Sequence, residues 1–384
     1  MDFSLSSEQV SFVDTARRFA AEELMPGYKA RELAGVIERG VLKSLGSLGL
    51  LGTELPERFG GLGTDTVTAG LILEELCAAD SNVGYVNVNV SLIGQILAKY
   101  ANEELASEWL PKMIAGEKLP CIALTEPRGG SDAANLALKA RRDGDHYILD
   151  GEKTSISFST QADLTVVFAR TGSAADGAKG ISAFFVPLEI EGLSRTAFND
   201  LGARSVGRGS LFFDGVRIPA SYQLGEENRG FVQVMHGFDF SRALIGLQCL
   251  AAAKQSLKET WEHVKDRKAF GKALSTFQGV SFPLAEAETH LEAARLLCYR
   301  TLWLKDQGLP HTAEAAMCKW WGPKLAAEII QTCLLLNGHS GYSADLPFEQ
   351  RLRDVLGLQI GDGTAQIMKL IIARQKAGRA AIPS

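Results

Sequence analysis

The hydrophobic period of this chain changes twice, and that limits its architecture more than any other feature. From Ser7 to about Leu110 the apolar residues recur at helical spacing, as in Val10, Phe12, Val13, Ala16 and Phe19, and again in Leu71, Leu73 and Leu76. Near Lys118 short runs bounded by Gly, Asp and Pro take over: Pro120 to Thr125, Tyr147 to Asp150, Leu164 to Ala169, Ile181 to Val186 and Leu211 to Phe213. After about Asn228 long helical segments return, roughly 230–265, 276–306, 312–337, 345–357 and 364–377. The fold class is therefore α+β, mainly α. A helical domain is expected at 1–118, a β domain at 119–226 and a helical bundle at 227–384. Strands and helices do not alternate, so neither a doubly wound parallel sheet nor a Rossmann dinucleotide site is expected.

The 384 residues suffice for two or three domains with a large core. Forty Lys plus Arg face 45 Asp plus Glu, for a net charge of −5, and no basic block stands ready for nucleic acid. The uncharged stretch from Ser81 to Ala98 carries three Asn with Ser, Gly and Gln, which reads as a buried segment and not a membrane span. Met1-Asp2-Phe3-Ser4 shows no export or transit pattern. The six Cys form no Cys-x-x-Cys pair and the six His show no ligand spacing, so reduced thiols, a cytoplasmic location and no metal site are expected.

Five stretches could carry chemistry. Leu124-Thr125-Glu126-Pro127-Arg128-Gly129-Gly130-Ser131-Asp132 leaves a strand into a turn whose glycines let backbone NH groups converge on an anion or a cofactor edge. Gly151-Glu152-Lys153-Thr154-Ser155-Ile156-Ser157 follows the next strand. Phe238-Asp239-Phe240-Ser241-Arg242 sets Asp239 and Arg242 on one helical face. Asp266-Arg267-Lys268-Ala269-Phe270-Gly271-Lys272, followed by Gln278, puts an Arg beside an aromatic ring, a pairing suited to pyrophosphate and ring stacking. Gly361-Asp362-Gly363-Thr364 is a turn whose Thr364 can cap the last helix. Taken singly, each reads as well as ordinary punctuation: a strand exit, a hairpin turn, a solvated ion pair, a capped helix end, a plain turn.

In order and spacing together, these stretches resemble the acyl-CoA dehydrogenase family over nearly the whole chain. TEPRGGSD matches the family's TEPGAGSD, DGEKTSIS its NGxKxWIT, LGARS its LGxRxS, DRKAFGKALSTFQ its ERxxFGxxIxxFQ, RLRD its RxxRD and GDGTAQI its YEGTxxI. The resemblance implies an α-helical domain, a central β domain and a four-helix bundle, assembled as a homotetramer that holds FAD between domains and subunits. It implies that Ile122, Leu124, Thr125, Ser131, Ser155 and Ser157 line the flavin, with Ser157 at flavin N5. Arg267, Phe270 and Gln278 would reach the FAD of a neighbouring subunit, and Gly338, Thr364 and Gln366 would add further contacts. Asp239 and Arg242 match the CoA-binding pair. Ser91, Ser131, Gly361 and Gly363 complete the substrate side. The partners implied are acyl-CoA and an electron-transferring flavoprotein.

Three departures shape the expected chemistry. The family's Trp is Ser155 here, the Gln of its QxxGGxGY is Leu335, and its Tyr-Glu-Gly-Thr reads Gly361-Asp362-Gly363-Thr364. The resemblance makes Asp362 the base that takes the α-proton, while its backbone NH and a ribityl hydroxyl of FAD hold the thioester oxygen. The family's alternative base position is Ser241, which cannot serve. A carboxylate one methylene shorter, with two aromatic rings missing, suits an acyl group bulky around Cα and Cβ. This exchange resembles the cyclohexanecarboxyl-CoA and cyclohex-1-ene-1-carboxyl-CoA dehydrogenases, so cyclohexane-1-carboxyl-CoA is the first expectation. No carboxylate is expected beside Ser91, which favours 1,2- over 1,4-elimination, with Asp80 an outside candidate for a second base. An α-branched short-chain acyl-CoA dehydrogenase, an acyl-CoA oxidase and a non-catalytic FAD or CoA binder remain alternatives.

Overall fold

The computed structural model describes residues 3–378 and 380–382; Met1 and Asp2, where the leader reading begins, lie outside them. Six helices come first: α1 (Ser7–Phe19), α2 (Tyr28–Ala34), α3 (Arg39–Ser47), α4 (Thr66–Ala79), α5 (Ser81–Tyr100) and α6 (Glu103–Ile114). Their starts follow from side-chain caps. Ser6 and Gln9 form a reciprocal box at α1, Asp65 accepts from Thr68 N at α4, and Asp80 accepts from Asn82 N and Val83 N at α5.

The β domain runs through β1 (Pro120–Ala123), β2 (Lys139–Asp143), β3 (His146–Ile156), β4 (Leu164–Arg170), β5 (Ile181–Pro187), β6 (Leu193–Ala197), β7 (Gly209–Pro219) and β8 (Gln223–Leu224). Their order is β6-β7-β3-β2-β4-β5-β8, with β1 parallel to β4. The stretch from Gly151, where a hairpin turn is the local expectation, is instead the second half of β3, which continues past irregularities at Leu149/Gly151 and Lys153/Ile156. The turn falls one step earlier, between β2 and β3, where Gly144 has φ 63°. The strands β2 and β6 escape sequence reading because Lys-Ala-Arg-Arg-Asp and Leu-Ser-Arg-Thr-Ala are mostly solvent-facing and carry almost no alternating apolar signal.

The last third holds α7 (Gly230–Asp266), the two-residue strands β9 (Lys268–Ala269) and β10 (Lys272–Ala273), α8 (Gln278–Asp306), α9 (Thr312–Leu336), α10 (Gly338–Tyr342), α11 (Phe348–Gly357) and α12 (Ala365–Ala377). Two hydrophobic cores result. One joins the N-terminal helices to the sheet; the other fills the bundle. Helix α4 serves both, with Ile72 and Leu76 in the first and Leu73 and Cys77 in the second, so the N-terminal helices are wedged between sheet and bundle. Helix α5 is the uncharged segment and is buried along most of its length. Among the described residues no helix is long and apolar enough to cross a membrane, and all six cysteines are buried and free.

Candidate active site

Helix α11 ends at Gly357, and the chain turns through Gly361, Asp362 and Gly363 before Thr364 caps α12 by accepting from Ile367 N at 3.3 Å. Asp362 has φ 55°, a left-handed conformation that Asp tolerates better than most residues with a Cβ. Lys319 of α9, fully buried, spans this turn: its Nζ donates to Leu358 O at 2.6 Å and to Gly363 O at 3.1 Å. The turn is thus tied down on both sides of Asp362. Burial raises the Asp362 pKa, and the charges of Lys319 and Arg242 pull it back. Burial in turn lowers Lys319 to about 8, against the attraction of Asp362 and the buried Cys249. Sequence reading missed Lys319, although one signal existed: a lysine inside the apolar stripe Ala315, Ala316, Cys318 of α9 must have found a partner.

Arg242 projects from α7 toward the same place. Its Nη1 lies 2.9 Å from Asp239 Oδ1, and Thr312 Oγ1 donates to Asp239 Oδ2 at 2.6 Å. This is no solvated pair, because Arg242 is only 5 % exposed, and its buried Nε has no partner among the described residues. Ser241 is buried and its hydroxyl donates to Phe238 O within its own helix. Across the site, Tyr85 stands beside Ser157 and Asn89, Asn89 Nδ2 donates to Tyr85 O at 3.3 Å, and the Tyr85 ring lies 5.5 Å from that of Phe158. Burial first, then the charge of Asp362, raises the Tyr85 pKa and keeps the phenol protonated. Asp362, Arg242, Lys319, Tyr85 and Ser157 therefore form one electrostatic neighbourhood drawn from all three parts of the chain. Tyr85 also went unnoticed in the sequence, where it is one aromatic residue in an Asn-rich run.

On the β domain, Thr154 N donates to Thr125 O at 2.9 Å and joins the Gly-rich loop to β3. Lys153, fully buried, donates to Leu124 O at 2.9 Å and to Glu126 Oε1 at 2.8 Å, while Glu126 accepts from Ala137 N at 2.6 Å and Leu138 N at 2.8 Å. Held at its base, the loop leaves Gly129 (φ 139°) open, with nothing within 4 Å of where a Cβ would stand. Ser131 and Ser155 (φ 59°) are exposed; Ile122, Leu124, Thr125 and Ser157 are half-buried. The Gly129 amide closes the turn by donating to Glu126 O at 2.9 Å, and the open space over Gly129 beside the Thr125 and Ser157 hydroxyls suits a planar, hydrogen-bonding cofactor edge.

Arg267 and Phe270 lie elsewhere, on the exposed connection between α7 and α8, where Phe270 is 95 % exposed, and the exposed Gln278 opens α8. Between Arg242 and Arg267 the helix rises by about 38 Å, at roughly 1.5 Å per residue, so these two groups cannot touch one reacting centre. Gly338 (φ 62°) opens α10, and Gln366 is exposed in the first turn of α12. Ser91 is buried in α5, and the expectation of no carboxylate beside it fails: the loop after α3 brings up Glu54, whose Oε1 accepts from Gln95 Nε2 at 3.4 Å one helical turn beyond Ser91. Sequence distance hid this pairing. Asp80 is committed elsewhere, capping α5 and meeting Arg31 Nε at 2.7 Å.

Three family models match in chain order: the acyl-CoA dehydrogenase N-terminal domain at residues 6–117, the middle domain at 121–216 and the C-terminal domain at 228–377. The chain belongs to the acyl-CoA dehydrogenase family. A probable acyl-CoA dehydrogenase of Bacillus subtilis is 34% identical over 377 residues, 98% of this chain and 99% of the relative. The solved butyryl-CoA dehydrogenase of Megasphaera elsdenii superposes with a TM-score of 0.95 at 30% identity, covering 98% of this chain and 100% of its own. A glutaryl-CoA dehydrogenase of Mycobacterium smegmatis, solved in complex with FADH2, gives 0.92 at 29% identity over 99% of this chain and 97% of its own. The protein is an FAD-dependent acyl-CoA dehydrogenase with the family's helical, β and helical order, and the Thr125 and Ser157 hydroxyls beside the open face of Gly129 fit that cofactor.

Proposed function

We propose that this acyl-CoA dehydrogenase desaturates an acyl group bulky around Cα and Cβ, with cyclohexane-1-carboxyl-CoA to cyclohex-1-ene-1-carboxyl-CoA as first choice. The observation that carries this is Gly361. Its φ is ordinary, so the backbone does not require glycine, and a Cβ there would meet only Gly357 O at 3.6 Å. Gly361 is exposed, so its missing side chain leaves open space on the turn next to Asp362. Ser155 likewise offers no ring.

In this reading Asp362 takes the α-proton. Burial makes its carboxylate a stronger base than it is in water, and Lys319 and Arg242 keep it ionised enough to act. Its backbone NH holds the thioester oxygen, and the Asp239–Arg242 pair orients the CoA arm. Thr125 and Ser157 would hold FAD, which would supply the acceptor for the β-hydride, and Tyr85 stands beside Ser157. Arg267, Phe270 and Gln278 serve the FAD of a neighbouring copy in a homotetramer, which accounts for an exposed Phe270 so far from Arg242. An electron-transferring flavoprotein reoxidises the enzyme in the cytoplasm, and the domain breaks fall near 118 and 226.

Anaerobic bleaching of the flavin by straight, branched and cyclic acyl-CoA thioesters tests the reading. Cyclohexanecarboxyl-CoA should bleach it, Asp362→Asn should slow bleaching by about 10²- to 10⁴-fold, and Gly361→Tyr should penalise the ring substrate more than a straight chain. Equal bleaching by Asp362→Asn would remove Asp362 as base. Glu54 beside Ser91 favours a second reading, 1,4-elimination from cyclohex-1-ene-1-carboxyl-CoA with a distal acid; exclusive use of that thioester would replace the first.

A further inference from the structure

Glu54 is a buried carboxyl that the first-choice reaction does not use. Two hydrogen bonds pin its loop onto α5: Asn87 Nδ2 donates to Leu50 O at 2.9 Å, and Gly52 N donates to Asn87 Oδ1 at 3.3 Å. Oε1 accepts from Gln95 Nε2 at 3.4 Å, one helical turn beyond Ser91. Oε2 is buried and has no partner among the described residues. Burial raises the Glu54 pKa, opposed by its own backbone NH, Ser91, Gln95 and the charge of Lys305. The Lys305 ammonium is turned aside, 4.6 Å over the ring of Phe240, which is buried next to the Asp239–Arg242 pair.

These contacts place Glu54 against α5, the helix that also carries Tyr85, while Lys305 of α8 acts on it by charge and covers the Phe240 ring of α7. Ser91 and Gln95 stand about 9 Å farther along α5 than Tyr85 and Asn89, six residues at roughly 1.5 Å each. Tyr85 lies within reach of the Asp362 charge, so Glu54 stands farther along α5 from the proposed base. A buried carboxyl oxygen without a donor is unfavourable, and a hydrocarbon chain end would leave it so. A hydroxyl can donate to a carboxylate and can also accept from a carboxylic acid, so it pairs with Glu54 in either ionisation state.

We propose that Glu54 is a specificity-determining residue whose free oxygen receives a hydroxyl on the acyl group, remote from the thioester, so that the substrate is a hydroxylated acyl-CoA. This rests on Asp362 marking the near end of the cleft; it does not rest on the acyl group being a ring. The test uses the FAD-loaded enzyme and two pairs of thioesters that differ by one hydroxyl: cyclohexanecarboxyl-CoA with its 4-hydroxy form, and hexanoyl-CoA with its 6-hydroxy form. The wild type should favour the hydroxylated member of at least one pair by ~10- to 100-fold in kcat/KM for flavin bleaching. In Glu54→Leu that ratio should fall to one or below, and Glu54→Gln, which keeps the shape and an acceptor, should retain part of it. Equal use of both members by the wild type overturns the proposal, as does a preference that both variants preserve. Should the straight pair bleach the flavin and the ring pair not, the cyclic reading fails while the Glu54 ratio is still measured.

Discussion

Two lysines without exposed surface, Lys153 and Lys319, hold the two turns on which the chemistry rests, and their different partners separate a clamp from a tuning device. Lys153 donates to Leu124 O and to the buried Glu126, so its charge is neutralised within the clamp it forms. Among the described residues Lys319 donates only to the carbonyls of Leu358 and Gly363, and the carboxylate that answers its charge is Asp362. Burial lowers both to about 8. One charge is spent on holding a loop. The other also sets the ionisation of the proposed base, because the loop it holds carries that base.

The largest expected effect breaks the first clamp. Lys153→Met leaves Glu126, 5 % exposed, buried without its cation, a loss of about 3–5 kcal/mol. It should appear as a lower Tm and as loss of FAD absorbance on gel filtration, and adding Glu126→Gln should recover part of it. The flavin reduced in whatever holoenzyme remains should keep the parental pH profile, because Lys153 does not act on Asp362.

Lys319→Met should do the opposite. The Asp362 carboxylate must be ionised to act, so flavin reduction rises with pH through its pKa. Removing the nearest cation raises that pKa further, and the acid limb of the rate profile should move to higher pH by about one unit or more, with about a tenfold lower rate near neutrality. A slower enzyme whose acid limb stays in place would reduce Lys319 to a tether like Lys153.

Tyr85→Phe is the mildest change, since it removes one hydroxyl that meets Ser157 and keeps the ring against Phe158. A loss of about 1 kcal/mol, roughly fivefold in the rate of flavin reduction, is expected, with the pH profile unmoved. A shift of the acid limb in this variant would mean that the phenol, and not Lys319 alone, sets the Asp362 ionisation.

Much of the architecture was legible because period is a local property. The long helices α7, α8 and α9 begin and end within a few residues of their apolar patterns, and the buried strands β4 and β5 coincide with apolar runs. The polar strands β2 and β6 were not legible, nor was the passage of β3 through Gly151, since both depend on which neighbour is paired. At the site, Asp362, Arg242, Thr125 and Ser157 could be named from ordered motifs. Tyr85 and Glu54 could not, because nothing local distinguishes a tyrosine or a glutamate that will end up buried, while Lys319 showed only as a lysine inside an apolar stripe, its partners hidden.

The sequence by itself determined the helical, β and helical order, the family, and the carboxyl offered as base, because these are written in spacing and in residue type. Tertiary structure alone decided that Lys319 grips the turn around Asp362, that Tyr85 meets Ser157, and that Glu54 reaches Ser91. Each of these joins residues far apart in the chain. The energy of a buried charge or hydroxyl depends on what packing brings within a few ångströms of it, and spacing along the chain does not record that.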